Sequence, residues 1–156
     1  EDSSRFVLPG YCVRPLEMSG AVGQVQLEKA NDMLDQRIVN SKIYHHFFDN
    51  VDYARTQTPT QNSVHSYFGF SFVLQNSLLD KRSEVINLFR EHGIECRPIV
   101  AGNFMRNPVI ERLNYTTFGT YDGANEIHDQ GFFLGNDNRI LEEQLTKVKE
   151  LMETIE

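Results

Sequence analysis

Apolar and small residues recur every three or four positions through Leu16, Gly20, Gly23, Leu27, Ala30, Leu34 and Ile38. That spacing is one face of an α-helix. Pro15 suits its first position, where a missing N–H costs nothing. The pattern predicts a long helix running to about Phe48, with a break near Asn40-Ser41. Gly20 and Gly23 each cost about 1 kcal/mol of helix propensity relative to Ala. They are expected where another backbone packs closely against the first turns.

Val51 to Arg55 reads as a short strand, and Thr56 to Ser63, with Pro59 and Asn62, as a loop. In Ser66 to Leu74, Phe68, Phe70, Phe72 and Leu74 alternate with smaller or more polar neighbours, which predicts a strand with one apolar face. Asp80 to His92 predicts a helix with Val85, Ile86, Leu88 and Phe89 inward and Gly93 as its stop. Ile94 to Val100 predicts a strand that Pro98 pushes to a sheet edge or a strand end. Residues 101–121 are irregular, with one helical turn after Asn107-Pro108. Asp122 is placed to cap a short helix ending at Gly131, ahead of a strand at Phe132-Phe133-Leu134. Leu141, Leu145, Val148, Met152 and Ile155 form the stripe of a last helix. The order predicts an α+β fold: a small, mainly antiparallel sheet packed by a long N-terminal helix and a C-terminal helix.

The 156 residues fit one domain with a single core. The 40% hydrophobic content, with eleven Phe, argues against disorder. A net charge of −7 without a Lys/Arg block argues against nucleic-acid binding. No apolar run of about 18 residues predicts a membrane span. Glu1-Asp2-Ser3-Ser4 lacks the features of a signal peptide, and the abrupt start before Phe6-Val7-Leu8 reads as a partial frame. Cys12 and Cys96 form no CxxC, so neither a disulfide scaffold nor a metal site is indicated. Reduced thiols in a cytoplasm are the simplest expectation.

Candidate chemistry is sparse. His45 and His46 are adjacent and cannot ligate one metal from a common helix face, although His45 and Asp49 are spaced for a local ion pair. His65, His92 and His128 are isolated, and Cys96 on a strand reads as a small buried hydrophobe. Nucleophile triads, Gly-rich phosphate loops and HExxH are missing. Two arginines stand out. Arg14, before a helix start, is placed to clamp a phosphate or carboxylate. Arg97 precedes Pro98 and the irregular Ala101-Gly102-Asn103, where unpaired backbone needs partners. A structural ion pair is the alternative for each.

Gly10-Tyr11-x-x-Arg14, followed by a small-residue helix and Gln26-Leu27, resembles the Gly-Tyr-Asn-x-Arg…Gln-Leu stretch of fold-type I sugar aminotransferases of the DegT/DnrJ/EryC1/StrS family. The runs Phe6 to Tyr11, Val13 to Ala21, Phe68-Gly69-Phe70, Gly93 to Val100, Gly102-Asn103-Phe104 and Gly131 to Asn136 resemble its nucleotide-sugar 3-dehydratase branch. The resemblance covers essentially the whole chain. It implies that residues 1–156 are the small C-terminal domain of a larger enzyme, with the large cofactor domain absent from this chain.

Such enzymes use pyridoxal or pyridoxamine phosphate and act on nucleotide-linked keto-sugars, often for lipopolysaccharide O-antigen. A lysine holds the cofactor in the aminotransferases, and a histidine replaces it in the dehydratases. Either would lie upstream of Phe6, so the chain by itself is expected to carry no catalytic residue, bind no cofactor and show no turnover. The resemblance also implies a homodimer with shared active sites, where the Gly-Tyr loop reaches the partner's site. Tyr11 and position 12 then fall to the cofactor, and Arg14 to the nucleotide-sugar. Position 12 departs from the pattern: Cys12 stands where the family has Asn, and a thiol is a poorer donor to phosphate than an amide. Arg97 and Asn103 are carried over as substrate-side residues. The same domain of a sugar aminotransferase, and a stand-alone α+β binding module, are the alternatives.

Overall fold

The computed structural model describes residues 5–11 and 16–155. Its helical N-terminal stretch is two helices, α1 (Glu17–Leu27) and α2 (Ala30–Phe48). They are followed by β1 (Ala54–Thr56), β2 (Gly69–Leu74), α3 (Arg82–Glu91), β3 (Cys96–Pro98), α4 (Asp122–Gln130), β4 (Gly131–Gly135) and α5 (Glu142–Ile155). Short 3₁₀ turns lie between, at Phe104–Arg106 and Pro108–Arg112 among others. The fold is α+β, as the hydrophobic pattern predicts.

All pairings in the four-stranded sheet are antiparallel, in the order β1-β2-β4-β3. β3 is an edge strand, which accommodates Pro98 without loss of a ladder donor. In the register, Phe70 faces Leu134 and Phe72 faces Phe132. With Leu74 these side chains form the floor of the core. Tyr44 and Phe48 of α2, Val85 and Phe89 of α3, and Leu145, Val148 and Met152 of α5 close over it. Three helices therefore cover this face, one more than the two-helix expectation. The other sheet face presents Arg55, Ser71, Val73, Phe133 and Arg97 by alternation. α4 lies on that side, where Glu126 pairs with Arg55 at 2.9 Å.

Several local expectations change. The interruption between the first two helices falls at Glu28–Lys29, where Lys29 N–H bonds the Gln26 carbonyl at 3.1 Å. Asn40 and Ser41 are instead buried inside α2. Polar residues at mid-helix read as a break because their usual place is a turn; here the Asn40 amide serves tertiary contacts, while the Ser41 hydroxyl bonds back to the Ile38 carbonyl. β2 begins at Gly69, not Ser66, because Tyr67 adopts a φ of 34° and interrupts the extended chain. The alternation consequently fails at Phe68, which is 80% exposed, while Tyr67 is buried. Asp122 is the first residue of α4 and makes no side-chain cap, since the N-cap is Tyr121. Ile86 and Leu88 are only partly buried.

The expected close packing at α1 is not supplied within this chain. No residue of α1 is buried, and a Cβ added to Gly20 or Gly23 would meet nothing within 4 Å. Leu16, Met18, Val22, Val25 and Leu27 are all exposed.

The α4–β4 junction is tight. A Cβ on Gly131 would lie 2.3 Å from the Ile127 carbonyl oxygen and 2.9 Å from Ile99 Cδ1. Gly131→Ala is therefore expected to cost about 1–3 kcal/mol through overpacking. The measurement is the urea midpoint at constant slope, and an unmoved midpoint would show that the junction relaxes freely.

Candidate functional site

The motifs singled out in the sequence meet in pairs. The N-terminal segment docks on the irregular region a hundred residues away. Phe6 N–H donates to Asn107 Oδ1 at 2.9 Å, Val109 N–H donates to the Phe6 carbonyl at 3.0 Å, and the Phe6 and Phe104 rings lie 5.7 Å apart. This anchor fixes where the Gly10-Tyr11 stretch leaves the domain. Tyr11 is 99% exposed, and Gly10 has open space around it. Cys12 and Arg14 lie outside the described residues.

Asn103 is buried, and its polar groups are engaged by its own chain. Its Oδ1 accepts from Met105 N–H at 3.0 Å, its Nδ2 donates to Asn125 Oδ1 at 2.8 Å, and its backbone N–H donates to His128 Nδ1 at 3.2 Å. The amide shapes a loop, with both its oxygen and its nitrogen bonded within the chain. Arg97 is exposed on the edge strand and pairs with Glu95 at 2.6 Å. It lines a cleft of about 490 Å³ bounded by β3, β4 and α5, with Phe68 and Phe133 on its wall and Asp137 and Arg139 on its rim. Hydrogen bonds from Arg139 hold the Asp137 carboxyl below the usual carboxylate range. A second cleft, of about 690 Å³, opens on the far side of the Pro98–Gly102 loop and is lined by Arg5, Asp80, Arg82, Arg106, His128 and Asp129. Arg97 and Asn103 are thus not brought to one wall.

A polar node missed in the sequence joins two other motifs. Asn136 Nδ2 donates to the carbonyls of Arg37, Ser66 and Tyr67 at 3.1–3.2 Å. The Arg37 guanidinium also donates to the Tyr67 carbonyl. These donors hold the turn at Tyr67 that places Phe68 on the surface. The sequence shows Asn136 only as the end of the Gly131 to Asn136 run and gives no sign of its partners, which lie 69 to 99 residues away. The spacing of His45 and Asp49 was legible: Nδ1 and Oδ1 are 2.8 Å apart, and His45 Nε2 lies 2.8 Å from the Tyr67 hydroxyl. Burial first, then the Asp49 charge, pushes the Tyr67 phenol above its ordinary value, so it stays a donor near neutrality.

Cys96 is half-buried, and burial pushes its thiol up against the opposing pull of Arg90 and Arg82. The thiolate is the reactive form. In a Cys12→Ser background, iodoacetamide at pH 7.5 is expected to alkylate Cys96 roughly tenfold more slowly than free cysteine. A rate equal to the free thiol would contradict the burial. Among the described residues there is no group of three His, Cys, Asp or Glu able to hold a metal, and no helix is long and apolar enough to cross a membrane.

The described residues do not by themselves fit a pyridoxal phosphate: Gly10 and Tyr11 stand in open space, and no cradle of donors surrounds them. Sheet order, helix layering and motif pairing together define a small aminotransferase-like domain. The chain belongs to the DegT/DnrJ/EryC1/StrS aminotransferase family, which it matches over residues 2–153. It is 43% identical to GDP-4-keto-6-deoxy-D-mannose 3-dehydratase of Yersinia pseudotuberculosis, over 93% of this chain and 37% of the relative. The Escherichia coli GDP-4-keto-6-deoxy-D-mannose-3-dehydratase with bound hydrated PLP superposes with a TM-score of 0.82 at 38% identity, over 97% of this chain and 39% of that one. The lipopolysaccharide biosynthesis protein RfbH of Salmonella typhimurium is 28% identical over 81% of this chain and 29% of its own length. Aminotransferases of known structure, among them the sugar aminotransferase CalS13 of Micromonospora echinospora, share the fold at 13–16% identity. The chain spans under two-fifths of the length of the dehydratases it matches.

Proposed function

We propose that this chain is the C-terminal domain of a nucleotide-sugar 3-dehydratase that uses pyridoxal or pyridoxamine phosphate and takes a GDP-linked 4-keto-6-deoxy sugar. The observation that carries the reading is the contrast in likeness. Identity to the dehydratases is 38–43% over nearly the whole chain, against 13–16% to aminotransferases of the same fold. The reaction belongs to deoxysugar and lipopolysaccharide O-antigen assembly, a reading supported by the likeness to RfbH, and to the cytoplasm.

In this reading a larger domain holds the cofactor, which when bound supplies the electron sink for the loss of the sugar hydroxyl. The exposed apolar face of α1 supports a covering domain or partner, since faces of this kind mark interaction surfaces. The Phe6 anchor aims Gly10-Tyr11 away from the domain, in keeping with a loop that reaches the second subunit of a homodimer. Arg14 then meets the diphosphate, Tyr11 and Cys12 border the cofactor phosphate, and Arg97 contacts substrate from its cleft. Asn103 serves by shaping the adjoining loop.

The test is a chimera in which this chain replaces the matching C-terminal segment of the Yersinia dehydratase. The chimera should convert GDP-4-keto-6-deoxymannose, the isolated chain should not, and Arg14→Ala should lower kcat/KM about 100-fold by removing a charge-assisted contact worth roughly 3 kcal/mol. Cys12→Asn should tighten pyridoxamine phosphate binding. Turnover by the isolated chain, or a folded chimera indifferent to Arg14→Ala, would sink the reading.

A further inference from the structure

His128 sits on α4 with its ring against the loop that follows β3. Asn103 N–H donates to His128 Nδ1 at 3.2 Å. The fit around the ring is close: a Cβ on Gly102 would fall 2.6 Å from that same nitrogen and 3.0 Å from His128 Cα, and Gly102 holds a φ of 58°. Two residues earlier, Val100 has a φ of 45°. A β-branched residue in the left-handed region stores strain that the surroundings must hold in place. The Gly102 N–H to Ile99 carbonyl bond, at 2.8 Å, closes the turn. The loop is therefore a strained turn whose end is held to α4 twice, through the backbone by the His128 ring nitrogen and through the Asn103 side chain by Asn125.

A nitrogen that accepts a backbone N–H has no proton of its own. The contact exists only in the neutral ring with its proton on Nε2; an imidazolium would set N–H against N–H. Histidine is the side chain whose charge changes near neutrality. The charged and titratable groups that line the same cleft as His128 are Asp129 on its own helix, Arg106 (paired with Asp129 at 2.6 Å) from the 3₁₀ turn, Arg5 from the N-terminal segment, and Asp80 and Arg82 at the start of α3.

We propose that His128 is a positioning residue whose neutral form latches the backbone of the Ile99–Asn103 loop, and that acidification opens the latch and releases the Asn103 amide, leaving the side-chain bond to Asn125 as the remaining tie. The link to catalysis rests on the dehydratase reading, which puts this loop beside the substrate; the latch itself does not depend on that reading.

The test is therefore made first on the 156-residue chain, by NMR between pH 8 and pH 5. The protection of the Asn103 amide, relative to other amides of the domain, should fall roughly fivefold as the His128 ring titrates, the loss of one hydrogen bond. In His128→Asn, whose Oδ1 accepts from the same amide without titrating, protection should persist across the range. His128→Ala should be unprotected throughout. A chain whose ring titrates while the Asn103 amide stays protected would overturn the latch. So would a ring that does not titrate while the chain is folded, or an identical pH step in His128→Asn. In the chimera, His128→Asn should shift the acid limb of kcat/KM. A latch confirmed by NMR with no shift in that limb would leave the loop mechanism standing and count against its place beside the substrate.

Discussion

Phe72→Ala is expected to destabilise the domain by about 3–5 kcal/mol, the range for emptying an aromatic site in a packed core. Phe72 is fully buried on β2, one of the two central strands of the sheet. Its ring stacks on Phe132 across the strand pair at 5.3 Å and meets Phe48 and Tyr44 edge-on at 4.9 and 5.4 Å. Those contacts join sheet to helix, so the cavity has rigid walls on both sides and little scope to collapse. Domains of this kind hold about 5–15 kcal/mol in total, so the variant should lie close to unfolding at physiological temperature. Urea denaturation provides the measurement, with Phe68→Ala as the control. Phe68 is four residues earlier in the same run but exposed, and its loss should cost less than about 0.5 kcal/mol. Equal effects at the two positions would refute the placement of the core.

Asn40→Leu is expected to cost about 2–4 kcal/mol, although it adds apolar surface at a buried site. Asn40 is fully buried. Its Nδ2 donates to the Arg139 carbonyl at 2.7 Å and lies 3.2 Å from both Asn136 Oδ1 and the Asp137 carbonyl. Its Oδ1 accepts from Leu141 N–H at 3.3 Å. A leucine would leave the Leu141 N–H and the Arg139 carbonyl short of their partner. This node also ties α2 to the turn that starts α5, so its loss should raise amide exchange at residues 137–141. Ser41→Ala next door removes only a bond to the Ile38 carbonyl within the same helix and should cost less than about 1 kcal/mol. An Asn40→Leu chain as stable as its parent would show that water repairs the node.

Asn40 also shows where sequence reasoning fails. An Asn-Ser pair in a helical run reads as a break, because both side chains compete for backbone bonds when nothing else is near. The partners that reverse that reading lie 96 to 101 residues away, and no local window contains them. Phe68 fails for a related reason. Alternation assigns it to the core, yet the turn at Tyr67 shifts the phase, and that turn is held by Arg37 and Asn136 from two other elements. The candidate site divides in the same way. The motifs at Gly10-Tyr11, Gly69-Phe70 and Gly131-Asn136 were visible as strings, and the contact of His45 with Asp49 followed from their spacing. The burial of Asn103, the Glu95 partner of Arg97, and the ring of His128 beneath the loop were not legible.

The sequence by itself determined the order and type of the elements from α2 onward, a place for Pro98 at a sheet edge or a strand end, the face that α5 buries and the family to which the chain belongs. Those features rest on periodicity, turn chemistry and short motifs, which act over a few residues. Only the tertiary structure decided which polar side chains are buried, where the strand phase slips and which motifs touch. A buried amide or a strained turn is stable only when donors and acceptors from distant segments meet it, and that condition belongs to the folded chain as a whole.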